Sequence, residues 1–268
     1  MATDSGDISK TRPPHIGRYR LTKTLGRGAM GVVYLGYDEA IDRQVAIKTI
    51  HRALLEGEDG AEWLERFRRE VRAAGRCLHP NIVTVFEYGE EKGIPYIVME
   101  YVAGSTLEAA CTANRLLSYA RVVEIIFKCT RALDFAFRAG IIHRDIKPAN
   151  ILVSGFDPDV GEIKISDFGA AIIGSPDRTL ILGMGSPAYM SPQQVKDHTL
   201  DHQADIYSLG VVMYQLLTGQ LPFQARNSYD LIYQIINSEP RRPSALRADI
   251  PASLDAIVAR AMSKKLEN

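Results

Sequence analysis

Cysteine is scarce: the 268-residue chain has three, Cys77, Cys111 and Cys129, and no two stand at C-x-x-C spacing. That excludes a disulfide framework and reads as reduced thiols in a cytosolic chain. Net charge is absent too, with Lys+Arg and Asp+Glu both at 32. A general nucleic-acid binder carries a basic surplus, so Arg66, Arg68, Arg69, Arg72 and Arg76 read as solvated helix charges and no nucleic-acid partner is expected. No apolar run approaches the roughly 18 residues of a membrane span, so no membrane segment is expected in this chain. The opening "MATDSGDISKTRPPHIG" lacks the apolar stretch of a signal peptide, and residues 1–15 read as a flexible leader. No G-x-x-x-x-G-K-[ST] occurs, which excludes that phosphate loop. No internal repeat is present.

The periodicity that is present changes once along the chain. In "QVAIKTI", Val45, Ile47 and Thr49 alternate with Ala46, Lys48 and Ile50, as in a strand. "RYRLTKTL", "GVVYLGYD", "NIVTVFEYG" and "PYIVMEYV" are similar runs. Between them Trp63, Phe67, Val71 and Ala74 repeat at helical spacing. After Gly104 the period is 3.6. Val122, Ile126, Cys129, Leu133 and Ala136 share a face, and Gly140 is placed as a helix stop. "DIYSLGVVMYQLLTG" is apolar nearly all round, which predicts a buried helix with Asp205 as its N-cap. The expected fold is α+β and bilobal: a small antiparallel sheet lobe with one main helix over 16–101, then a larger, mostly helical lobe over 102–268. A ligand cleft between the lobes follows.

"LGRGAMGVVY" holds Gly26, Gly28 and Gly31 as G-x-G-x-x-G. A dinucleotide fingerprint would run into a helix; here β-branched and aromatic residues follow, so the glycines belong to a hairpin. Such a loop lets backbone N–H groups close over phosphates. Val33 and Ala46 can flank a flat apolar base, with Lys48 reaching its phosphates. A lysine held in a cleft needs a counter-charge. Glu70 is preferred over Glu62 and Glu65, because its neighbour Val71 belongs to the apolar stripe. In "IIHRDIKPANILV", Asp145 stands between Arg144 and Lys147, with Asn150 five residues on. Asp145 can accept a hydrogen bond from a hydroxyl and orient that oxygen. Asn150 and Asp167, the latter in "ISDFGA", offer oxygens suited to Mg²⁺. Lys147 can neutralise charge on a transferred phosphoryl group. The set suits phosphoryl transfer, where catalysis is mostly positioning and charge neutralisation.

From about residue 18 onward, "GRGAMGVV", "VAIK", Glu70, "HPNIV", "VMEYV", "HRDIKPAN", "DFG" and "DIYSLG" resemble the eukaryotic-like (Hanks-type) serine/threonine protein kinases of bacteria. The resemblance implies ATP-dependent phosphorylation of serine and threonine on protein substrates, self-association for autophosphorylation, and Mg²⁺ or Mn²⁺ as metal. It implies Asp145 as catalytic base, Lys147 as its companion, and Asn150 and Asp167 as metal ligands. Lys48 would hold the phosphates and pair with Glu70. Met99 would be the gatekeeper, Glu100 and Val102 would offer hinge backbone groups, and Leu25, Val33, Ala46 and Leu152 would enclose adenine. His143 and Phe168 would join a stacked core, Asp205 would brace the catalytic loop, and Arg144 would receive a phosphate, for which Thr179 is the expected acceptor. A cytoplasmic location is expected, at the cytosolic face if the whole protein is membrane-anchored.

Three departures qualify the resemblance. Ser186 replaces a usual threonine, Gln193 replaces a usual glutamate, and the chain reaches Asn268 before the family's final helix and its glutamate-pairing arginine. The sequence therefore reads as truncated before that helix, with apolar surface from Leu254 to Met262 left exposed. A pseudokinase scaffold or ATP-binding module is the alternative, and loss of Lys48, Asp145, Asn150 or Asp167 would have favoured it; all four are present.

Overall fold

The computed structural model describes residues 14–57, 60–155, 157, 161–168, 187–196 and 200–265. The chain clusters into two compact units, one holding the residues up to Gly60 plus Val85–Tyr101, the other Ala61–Thr84 plus the residues from Val102 onward.

The first unit is one antiparallel sheet. Its strands are β1 (His15–Ile16), β2 (Tyr19–Arg27), β3 (Gly31–Asp38), β4 (Arg43–Ile50), β5 (Val85–Glu91) and β6 (Ile94–Glu100), in the order β1-β2-β3-β4-β6-β5. Period-two alternation puts Tyr19, Val45, Ile47, Tyr96 and Val98 into one buried cluster. Two polar groups go in with them and are satisfied. Tyr19 donates to Glu87 Oε2 at 2.6 Å, and fully buried Asp38 accepts from Ala40 N at 3.1 Å and from Arg18 Nε at 3.3 Å.

The second unit begins with α1 (Gly60–Ala74), whose Phe67, Val71 and Ala74 are buried and whose Trp63 stacks on Phe67 at 5.2 Å. Sequence alone assigned this helix to the sheet lobe; by its contacts it groups with the helical unit. "NIVTVFEYG" is likewise divided. Its strand starts only at Val85, while Asn81 and Val83 exchange backbone bonds of 2.9 Å with Ile165. Buried Ile82 and Val83 pull that half toward Ile165. A three-stranded sheet follows, β7 (Gly104–Thr106), β8 (Ile151–Ser154) and β9 (Ile163–Ile165), in that order.

Helix α2 (Tyr119–Arg138) starts at Ser118, whose Oγ accepts from Arg121 N at 3.2 Å. It ends as expected at Gly140, φ +79°, where Gly140 N donates to Phe137 O at 2.8 Å and Ile141 N to Ala136 O at 2.9 Å. This pair of bonds needs a left-handed residue, hence glycine. After α3 (Pro192–Val195) comes α4 (Gln203–Thr218), buried on nearly every side. Then follow α5 (Ser228–Asn237) and α6 (Ala252–Ala261). The expected exposure from Leu254 to Met262 is partial: Leu254, Val258 and Met262 are buried, because α6 packs against α4, while Ala256, Ile257 and Ala259 are exposed. Ile257 lines a cavity of about 470 Å³ with Ile126, Ile206, Met213 and Gln193. Gln193 Oε1 is buried without a hydrogen-bond partner among the described residues. Among the described residues no helix is long and apolar enough to cross a membrane.

Lys264 closes this end of the unit. Its ammonium donates to Ile235 O at 2.6 Å and Tyr207 Oη at 3.2 Å, and lies 4.4 Å from the Phe223 ring centre. Burial pulls its pKa down to about 8, against a smaller opposite effect of Glu239. The unfolded chain, with an ordinary lysine near 10.4, then binds more protons than the fold between the two values. This group's contribution to stability therefore rises with pH from about 8 to about 10.4 and is lost below that window. Lys264→Met should flatten that part of a stability-versus-pH curve, measured by urea unfolding.

Candidate functional site

The sheet unit fixes the nucleotide-facing candidates by register. From Gly31↔Ile50 to Asp38↔Arg43, β3 and β4 pair without interruption. Val33 stands opposite Lys48, which stands opposite Ile97 on β6; Ala46 stands opposite Met99. Opposed residues share a face, so Val33, Ala46, Lys48 and Met99 lie together on the face opposite the buried cluster. Glu100 is paired with Val45 and lies on the other face. Leu25 is exposed on β2, where the pairing with β3 is irregular between Thr24 and Gly26.

The three glycines divide by role. Gly28 N donates to Gly31 O at 2.9 Å, and Gly31 N to Gly28 O at 3.3 Å, closing a hairpin over Ala29 and Met30 as expected. A Cβ on Gly31 would lie 1.7 Å from Thr49 O, whereas one on Gly26 or Gly28 would meet nothing within 4 Å. Gly31 thus serves the fold, and Gly26 and Gly28 leave backbone accessible. Gly31→Ala should cost about 1–3 kcal/mol in denaturant unfolding through overpacking. Gly28→Ala should leave the unfolding midpoint unchanged while weakening nucleotide binding, read by calorimetry.

In the helical unit the local chemistry is set by one carboxylate. Asp205 sits in the first turn of α4, yet it does not cap it: the N-cap position is His202. Instead its Oδ2 accepts from His143 N and its Oδ1 from Arg144 N, both at 2.7 Å. The N-cap expectation is corrected, and the brace implied by the resemblance is present. Burial pushes the Asp205 carboxyl above its usual range, opposed by His143, Arg144 and these two N–H bonds. Arg144, held this way, has φ +65°, and Asp167 has φ +64°. Left-handed non-glycine residues gather at functional sites, where the surroundings over-determine them.

The buried His143 ring accepts from Asp145 N at Nδ1, 3.2 Å away, and pairs with Ser166 O through Nε2 at 2.8 Å. That network places the ring proton on Nε2. Phe168 meets His143 edge-on at 4.6 Å, completing the expected stack. Lys147 Nζ and Asn150 Nδ2 both donate to Asp145 Oδ2, each at 2.9 Å, and Asn150 Nδ2 also reaches Asp145 O at 2.7 Å. Among the described residues Oδ1 is thus the oxygen of Asp145 left for a hydroxyl. Ser166 ties the two metal candidates together, since its N and Oγ bond to Asn150 O at 2.9 and 3.2 Å and Asp167 follows it directly.

Asp145, Lys147, Asn150 and the Ser166–Asp167 junction are therefore brought together. Leu152 lies on β8 opposite Lys164, and Val102 shortly before β7. Glu70 is on α1 in the helical unit and Lys48 in the sheet unit. Of the rivals, Glu62 pairs with Arg66 and Glu65 with Arg68, so both are engaged at the surface. Thr179 and Ser186 lie outside the described residues. Ser166 and Gln194 were not picked out from the sequence. Gln194 donates to Arg144 O at 2.8 Å, and beside Gln193 nothing in the sequence distinguishes it.

Residues 19–266 match the family model described as protein kinase domain. The chain belongs to the protein kinase domain family. A probable serine/threonine-protein kinase of Streptomyces coelicolor is 40% identical over 92% of this chain and 37% of its own length. Serine/threonine-protein kinase PknB of Mycobacterium leprae is 38% identical over 96% of this chain and 42% of its own length. The chain thus spans less than half the length of these relatives. The crystal structure of the Mycobacterium tuberculosis PknI kinase domain superposes with a TM-score of 0.73 at 28% identity, covering 96% of this chain and 92% of that one. The kinase fold, α+β with a curled antiparallel sheet unit and a helical unit, is the fold of this chain.

Because Asp205 supplies both bonds that hold His143 and Arg144, Asp205→Asn should leave one buried N–H of this kinase domain facing an amide N–H. The expected loss is about 1–3 kcal/mol, read by urea unfolding.

Proposed function

We propose that this domain transfers the γ-phosphate of ATP to serine and threonine hydroxyls of proteins, its own included. The observation that carries the reading is the Asp145 carboxylate: two donors, Lys147 and Asn150, occupy Oδ2 and aim the carboxylate. Oδ1 then accepts the hydrogen bond of the attacking hydroxyl and takes its proton as the new P–O bond forms and the bond from the γ-phosphorus to the oxygen shared with the β-phosphate breaks, releasing ADP. Lys147, half-buried beside it, neutralises charge on the transferred group. An oxygen-rich set suits Mg²⁺, or Mn²⁺ in its place: Asn150 spends its Nδ2 on Asp145, so its Oδ1 and the Asp167 carboxylate would be the oxygens to hold the cation. When bound, the metal supplies neutralisation of the phosphate charge. Val33, Ala46 and Met99, with Leu25 and the Glu100 backbone of the same unit, are the sheet unit's proposed contacts for adenine, and Val102 and Leu152 are those proposed in the helical unit. Gly26 and Gly28 leave room beside the hairpin for phosphates, and Lys48 on the same sheet is the cation proposed to hold them. The phosphoacceptor proposed is Thr179; Ser191 is fully buried as the α3 cap. We place the domain on the cytosolic side, where ATP is supplied.

The test is transfer of radiolabel from ATP to a generic protein substrate with Mg²⁺ or Mn²⁺. Asp145→Asn should keep its melting temperature and nucleotide affinity while turnover falls by about 100- to 10,000-fold, the usual worth of a positioned base. Lys48→Met should also abolish turnover. Wild-type protein that binds ATP yet transfers nothing would favour the scaffold reading.

A further inference from the structure

We propose that Gln194 is a positioning residue for Asp145, coupling the cap of α3 to the strained peptide that precedes the catalytic carboxylate. The inference rests on the kinase reading for its consequence, and on geometry alone for its existence. Ser191 caps α3. Its Oγ accepts from Gln194 N at 3.2 Å, and its N donates to Gln194 Oε1 at 2.9 Å. This reciprocal cap needs an acceptor oxygen on the third helical residue, and glutamate or glutamine serves equally. Only glutamine has a second, donating atom. Gln194 Nε2 donates to Arg144 O at 2.8 Å.

That carbonyl belongs to the peptide leading into Asp145. Arg144 is left-handed, with its N–H fixed by Asp205 and its C=O by Gln194. The two bonds come from different elements, α4 and α3, and together set the plane in which Asp145 leaves the turn. Within the Arg144–Asp145 peptide His143 Nδ1 holds Asp145 N at 3.2 Å and Gln194 holds the carbonyl, so losing Gln194 removes the bond that α3 makes to this peptide. Neighbouring Gln193 does no such work, since its Oε1 has no partner among the described residues.

Gln194→Glu separates capping from positioning. The cap survives, because a carboxylate oxygen still accepts from Ser191 N. At about pH 7.5 the second oxygen is an acceptor facing the Arg144 carbonyl. Protonation as pH falls toward the ordinary glutamate range restores a donor. Hydrogen–deuterium exchange of peptides covering 141–147, compared with wild type at each pH, should be faster at neutral pH and return toward wild type on acidification. The mutant-to-wild-type ratio of kcat should follow the same course, about 10-fold down at neutral pH, with KM for ATP unchanged. Gln194→Met, with neither polar atom, should lose protection at every pH. Wild-type exchange in either variant, or a glutamate ratio that does not move with pH, would overturn the proposal. If wild-type protein shows no transfer, the kinase reading fails, and the exchange arm still decides whether Gln194 holds this peptide.

Discussion

Two backbone N–H groups on one buried carboxylate hold the His143–Asn150 segment of the helical unit in shape. Asp205 is almost wholly buried, and its oxygens take His143 N and Arg144 N at 2.7 Å each. Without them Arg144 would have little reason to stay left-handed, which costs an L-residue about 1–2 kcal/mol. Hydrogen bonds to a charged group contribute about 1.5–3 kcal/mol each, so two of them outweigh that cost. Once the turn is fixed, the rest follows in order. His143 points its ring at Ser166 and Phe168, Asp145 emerges beside Lys147, and Asn150 closes on both the aspartate and Ser166. The anchor is rigid because α4, which carries it, is buried nearly all round.

The sheet unit works by a different constraint. There the alternation of side chains sorts one face from the other. Val33, Ala46 and Met99 go to one face with Lys48, and the cluster of Tyr19, Val45, Ile47, Tyr96 and Val98 goes to the other.

Much of this was legible in the sequence, for physical reasons. Period-two runs long enough to alternate gave β2, β3, β4 and β6, and the 3.6 stripe and Gly140 gave α2 with its stop. Short elements such as "GST" and "IKI" are too brief to show a period, so the three-stranded sheet was not seen. Asp205 was misplaced because an aspartate before an apolar helix is usually a cap, while its partners lie some sixty residues away. Strand propensity in "NIVTVFEYG" was real, yet burial beside Ile165 divided it between two sheets. The cluster of Asp145, Lys147 and Asn150 was legible because their spacing is local. Gln194 was not: two adjacent glutamines look alike until a tertiary partner selects one.

The β3–β4 ladder runs eight pairs without a bulge, and Gly31 seals one end by lying against the Thr49 carbonyl. In such a ladder a slip of one residue exchanges the two faces. An inserted or deleted residue between Gly31 and Asp38, or between Arg43 and Ile50, would carry Lys48 into the apolar cluster and turn Ile47 outward. The connection from Glu39 to Asp42 lies outside the paired stretch and can change length without that exchange. Evolutionary variation in chain length should therefore collect at this tip and at the bulged β2 strand, and spare the two strands that carry the lysine.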